Sequence, residues 1–185
     1  LGTGQSGHIA AVGYDLYCKL VKEAVEELKH VPKENEQEIE IEIPMTAYIP
    51  KDYIMRDDSK LESYRSIADI KNNQDLERIQ QTWLDRYGPV PEEATNLLKI
   101  AHLKLAARSL GIQKIIAKKI PGFGKAEWNI HLRPLLLRPS QRVRTLRLYE
   151  GSLYKEDKQE LILKISEIRE ASQEITDYLK SLEPV

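Results

Sequence analysis

Residues 38–43 read EIEIEI, an alternation with no exception. Successive side chains of an extended chain point to opposite faces, so Ile39, Ile41 and Ile43 share one side and Glu38, Glu40 and Glu42 the other. That is the signature of a half-buried strand. A chain containing it must supply a sheet and a layer to cover the isoleucines.

The flanking sequence predicts helices. On the N-terminal side, Ile9, Val12, Leu16, Leu20, Ala24 and Leu28 recur every three or four positions, one stripe of a helix over Ile9–Lys29. Pro32 and the polar run KENEQ end it and form a linker. After the irregular YIPKDYI, Ser59 and Glu62 have capping-box spacing before a helix carrying Leu61, Tyr64, Ile67 and Ala68. Beyond Asn72 and Asn73 a second helix places Leu76, Ile79, Trp83 and Tyr87 on one face and stops at Gly88-Pro89. A third begins near Pro91, runs through Ala94, Leu97, Leu98, Ala101 and Leu105, and ends at Gly111.

The texture then turns to strands. KIIAKKI and EWNIHLRP flank a PGFGK turn and predict a hairpin. PLLLRPS predicts a short helix, RTLRLYEGSLY a further hairpin around Gly151, and the stripe Leu161, Ile165, Ile168, Ser172, Ile175, Leu179 and Leu182 one long amphipathic helix. The expected fold class is α+β, with several helices packed on a small, mostly antiparallel sheet and an N-terminal helical appendage.

Composition narrows the function classes. The 185 residues are 41% hydrophobic and 31% charged, as in ordinary globular proteins, and the apolar runs are too short to span a bilayer. A single cysteine, Cys18, excludes an internal disulfide framework, and a cytoplasmic location is expected. The net charge of −1 hides an asymmetry. Between Gln113 and Tyr149 nine basic residues (Lys114, Lys118, Lys119, Lys125, Arg133, Arg138, Arg142, Arg144 and Arg147) face one acid, Glu127. Such a stretch meets phosphate, meets an acidic protein surface, or is the solvated side of a sheet with acidic neighbours.

No catalytic constellation is present. Gly122-Phe123-Gly124-Lys125 lies between two strands, with Ala126 where a phosphate loop needs a hydroxyl, and reads as a turn. His8, His30, His102 and His131 lack metal-ligand spacing with one another or with Cys18, so no metal is expected. On the second helix the 3.6-residue period sets Arg78, Thr82, Asp85 and Arg86 opposite the apolar stripe. That face is either a solvated ion-pair surface or half of a charged contact with another protein.

Longer matches are more specific. The opening LGTGQSGHIAAVGYDLYCKLVKEAV, then AYIPKDYI, then LESYRSIADIKNNQDLERIQQTWLDRYGPVPEEATNLLKIAHLKLAARSLGIQKI resemble, in register over 1–115, the end of the motor and the C-terminal domain of bacterial transcription-repair coupling factors. Lacking an initiator Met and a signal peptide, the chain is expected to be a fragment: 1–36 the tail of the motor lobe, 37–185 a C-terminal regulatory domain.

The resemblance implies a part of an ATP-driven DNA translocase that displaces stalled RNA polymerase and recruits the repair protein UvrA through a UvrB-like module. ATP and Mg belong to the motor, and the fragment itself is expected to hold no cofactor and to hydrolyse nothing. Its implied partner is the UvrB-like module of the same parent chain, whose UvrA-binding surface it masks; UvrA and RNA polymerase are indirect partners, DNA is engaged by the motor, and no membrane is involved. Gln5 falls on the glutamine closing the motif that couples hydrolysis to translocation, whose arginines lie upstream of Leu1. Asp85 and Arg86, in WLDRYG, match the pair that contacts the UvrB-like module; the family pattern often has an acid three residues before the Asp, where this chain has Thr82. The alternative is a nucleic-acid-binding module using Lys114, Lys118, Lys119, Arg133, Arg144 and Arg147.

Overall fold

The computed structural model describes residues 38–183. The helix expected over Ile9–Lys29 lies outside the described residues. The described chain forms two compact units: 45–105, and 38–44 together with 106–183.

The second unit is built on a five-stranded sheet of β1 (Glu40–Glu42), β2 (Lys114–Ile120), β3 (Glu127–Arg133), β4 (Leu153–Lys155) and β5 (Glu160–Ile165), in the order β1-β2-β3-β5-β4. β1 runs parallel to β2, and every other pairing is antiparallel. The alternation expected of 38–43 is observed: Ile39, Ile41 and Ile43 are buried while Glu38 and Glu42 are exposed. The β2–β3 hairpin is in full register from Lys114↔Arg133 to Ile120↔Glu127, and the PGFGK segment is its turn. Two helices complete this unit, α4 (Pro139–Leu148) and α5 (Ala171–Lys180).

The first unit, inserted in the chain between β1 and β2, holds α1 (Asp57–Ala68), α2 (Asn73–Tyr87) and most of α3 (Glu92–Ser109). α1 begins two residues before Ser59, so the expected capping box does not open it. The start of α2 is as the sequence suggests: the Asn72 side chain accepts from the Asp75 N–H at 3.0 Å, satisfying one orphan donor of the first turn. At its other end Gly88 has φ 84°, a conformation that glycine enters without penalty.

This unit is tied together by polar anchors as well as apolar burial. Tyr64 OH accepts from Ile49 N–H at 2.9 Å, Tyr53 OH donates to Gly88 O at 3.0 Å, and Asn96 Nδ2 donates to Thr46 O at 2.8 Å. Each bond ties the irregular 45–56 segment to a helix or its end, so backbone that lacks a regular partner is still satisfied.

Three sequence expectations are corrected. The predicted helix over PLLLRPS is absent: 134–138 is neither helix nor strand and its burial alternates, with Leu135 and Leu137 buried and Leu136 exposed, and the helix begins only at Pro139. Pro139 holds Arg138 in extended geometry (φ −63°, ψ 154°) and itself suits the first helical position.

The hairpin expected around Gly151 is a helix-to-strand turn, since Arg144–Leu148 complete α4 and only Leu153–Lys155 pair with β5. The long terminal helix is split, and Glu160–Ile165 is β5, lying between β3 and β4. Leu161, Ile162 and Leu163 are buried consecutively, which a strand covered on both faces allows; a short apolar run cannot by itself be told from a buried helix. The helical stripe is real only in α5, where Ile175 and Leu179 are buried.

Candidate functional site

α2 turns Ile79 and Trp83 inward and exposes Arg78, Asp85 and Arg86, with Thr82 half-buried. Trp83 Nε1 donates to Ser63 Oγ at 3.3 Å, which fixes the rotation of α2 against α1 and with it the direction of the polar face. The expected core members Leu76 and Tyr87 are only half-buried. Tyr87 meets Tyr53 edge to face, centroids 5.8 Å apart.

The adjacent residues Asp85 and Arg86 diverge, as neighbours on a helix must. Asp85 Oδ1 accepts from Gln81 Nε2 at 2.8 Å, one turn earlier, and is held on the outer surface. Arg86, expected opposite the apolar stripe, instead lies seven residues from Ile79 on the stripe's own side and lines a groove of about 480 Å³ between α1 and α2, together with Glu62, Asp69, Asp75, Arg78 and Trp83. Arg78 reaches Asp75 at 3.6 Å, whereas Arg86 makes no ion pair among the described residues. Thr82 spends its hydroxyl on its own helix, donating to Arg78 O at 2.7 Å. The face therefore offers one tethered acceptor and one uncommitted guanidinium, the pair of groups from which a charged protein contact is made. Gln5 lies outside the described residues.

The basic stretch is partly consumed within the fold. Lys114 pairs with Glu40 at 2.5 Å, Lys125 with Glu167 at 2.6 Å, Arg133 with Glu160 at 3.7 Å, and Arg142 grips Glu156 through both nitrogens at 2.7 and 2.8 Å. The Lys114, Arg142 and Lys125 hydrogen bonds hold the carboxyls of Glu40, Glu156 and Glu167 below their ordinary range. Lys118, Lys119, Arg144 and Arg147 make no ion pair among the described residues, and they are divided between β2 and α4.

One polar pair has no obvious sequence signal. His131 Nδ1 and Glu160 Oε1 meet at 2.9 Å across β3 and β5, and Glu160 is only 5% exposed. Burial pushes that carboxyl up, but the hydrogen bond and charge from His131, with Arg133 nearby, outweigh it and leave it below the usual value. Among the described residues no cluster of His, Cys, Asp and Glu is placed to hold a metal, and no helix is long and apolar enough to cross a membrane.

Fold and surface together define an α+β domain whose polar helix face is suited to contact with another macromolecule. The architecture is that of the crystal structure of the C-terminal domain of a transcription-repair coupling factor, with a TM-score of 0.61 at 20% identity over 80% of this chain and 97% of that one. Residues 43–130 match the TRCF domain model, and that stretch belongs to the TRCF domain family. The transcription-repair-coupling factor of Mycobacterium tuberculosis (strain CDC 1551 / Oshkosh) is 34% identical over 166 residues, 84% of this chain, and that of Escherichia coli (strain K12) is 33% identical over 142 residues, 74% of this chain. The chain spans 13% and 12% of the lengths of those two relatives.

Proposed function

We propose that this chain is the regulatory C-terminal part of a transcription-coupled repair translocase, packing through the Asp85–Arg86 face of α2 on a UvrB-like module of the same parent and masking its UvrA-binding surface. The observation that supports it is the exposure of both residues on a helix whose rotation is fixed by the Trp83–Ser63 bond, with Arg86 making no ion pair among the described residues. In this reading 1–36 is the tail of the motor lobe, Gln5 is a remnant of its coupling motif, and ATP, Mg, DNA and RNA polymerase are engaged by parts of the parent other than this domain, which has no chemistry of its own and works in the cytoplasm.

A mask is a two-state equilibrium, and about 3 kcal/mol in favour of the closed state suffices to hold the open one near 1%. Charged and polar contacts suit it, because they discriminate partners yet bury little apolar area that would have to be re-exposed on opening.

The test is competition. The separately made UvrB-like module is titrated with UvrA in the presence and absence of this chain. Masking predicts that the chain raises the apparent UvrA dissociation constant in proportion to its concentration. UvrA binding that is indifferent to saturating chain contradicts it.

A further inference from the structure

α4 is a surface helix with an unusual outer face. The residue it buries is Thr145, whose Oγ1 lies 2.8 Å from Tyr178 OH on α5. With Thr145 inward, the 3.6-residue period turns Val143 and Arg147 directly outward, with Leu146 and Arg144 flanking them. Val143 is 69% exposed and Leu146 42%, and Leu136, just upstream of the helix, is 73% exposed. Arg142, on the inner flank, is occupied by Glu156 and stacks 5.0 Å from the Tyr154 ring. Arg144 and Arg147, by contrast, make no ion pair among the described residues, and the first turn of α4 carries no acid.

We propose that this outer face of α4 docks an acidic amphipathic helix of a protein partner. Val143 and Leu146, three residues apart on α4, form an apolar strip, with Leu136 exposed just upstream of the helix, and an apolar stripe of a second helix packs on it ridge into groove. Arg144 and Arg147 border that strip as uncommitted donors, so acidic side chains flanking the partner's stripe complete them with charge-assisted bonds. Arginine is among the residues enriched in protein-binding patches.

The same features disfavour other occupants. A second copy related by a two-fold axis would set the arginines of one face against those of the other. A nucleic acid would leave the apolar strip against sugar and phosphate.

The experiment is selection of random peptides of about 16 residues, long enough to form a helix, displayed on phage against the intact chain. The strongest selected peptide is then synthesised and its affinity measured by fluorescence anisotropy. The proposal predicts a pool enriched in Asp and Glu interleaved with Leu, Ile or Phe at three- and four-residue spacing. It also predicts an affinity loss of about tenfold or more for Arg144→Glu/Arg147→Glu and for Val143→Glu/Leu146→Glu, with no loss for Lys180→Glu on α5. The substituted side chains are exposed, and an unchanged circular dichroism melt confirms that the variants fold. A pool no richer in acids than the starting library, no enrichment at all, or a peptide indifferent to both double variants overturns the proposal. So does binding of duplex DNA or of phosphatidylglycerol vesicles that the same variants abolish.

Discussion

Trp83 on α2 hydrogen-bonds Ser63 on α1 across 3.3 Å, and both are buried. The bond joins two helices along the side of α2 where Arg86 lines the adjoining groove with Trp83, so helix packing and the presentation of Arg86 are one problem. Trp83 is 2% exposed, and Trp83→Ala is expected to cost about 3–5 kcal/mol. Trp83→Phe keeps most of the bulk, leaves Ser63 without its donor, and should cost nearer 1 kcal/mol. Urea denaturation of the two variants measures this; equal midpoints for Trp83→Ala and the parent would show that the α1–α2 packing is not as described.

The His131–Glu160 pair makes stability depend on acid. Glu160 has a folded-state pKa below its ordinary value of 4.5, so its contribution is fully present above that value and is lost as the pH falls through the lower folded value. Removing the charge with Glu160→Gln should lower stability at neutral pH and flatten the acid limb of the stability curve. Thermal melts from neutral pH downward, compared between parent and variant, decide it. Parallel acid limbs would mean that another carboxylate carries the effect.

Tyr178 sets the alkaline limit. Burial pushes its hydroxyl up to about 12, partly opposed by the hydrogen bond with Thr145. An unfolded tyrosine ionises near its ordinary value of 10.0, so the folded state holds the proton longer. The resulting stability is complete below 10 and declines as the pH rises through the folded value of about 12. Tyr178→Phe should remove the last phase of a spectrophotometric tyrosine titration and make the alkaline decline shallower. A titration whose last phase survives the substitution would assign it to a different tyrosine.

The sequence makes some of these elements legible and hides others for physical reasons. β1 and α2 are readable because each has one face in the core and one in water, so the period of burial is written directly in residue type. β5 is not, since Leu161, Ile162 and Leu163 are buried on both faces and lose the alternation that would mark a strand. α4 is hidden for the opposite reason: it buries Thr145 and exposes Val143, Leu146 and Leu148, so its apolar residues do not mark its inner face.

The candidate face shows the same division. The outward position of Asp85 follows from the Ile79–Trp83 stripe, and its four-residue spacing from Gln81 matches the tether, whereas Arg86, seven residues from Ile79, stays on the stripe's own side. What no local pattern supplies is the list of basic residues already spent, because Lys114–Glu40, Lys125–Glu167 and Arg142–Glu156 join positions from 14 to 74 residues apart. Those pairings leave Lys118 and Lys119 on β2, and Arg144 and Arg147 on α4, without an ion pair among the described residues.

The most direct test of the central claim is calorimetric titration of this chain into the separately made UvrB-like module, repeated with Asp85→Ala and with Arg86→Ala. Both residues are exposed, so the variants should melt as the parent does. The account predicts measurable binding by the parent and a loss of about tenfold or more in affinity, roughly 1.4 kcal/mol, in each variant. Unchanged affinity in both, with the fold intact, would show that this face of α2 is not the contact.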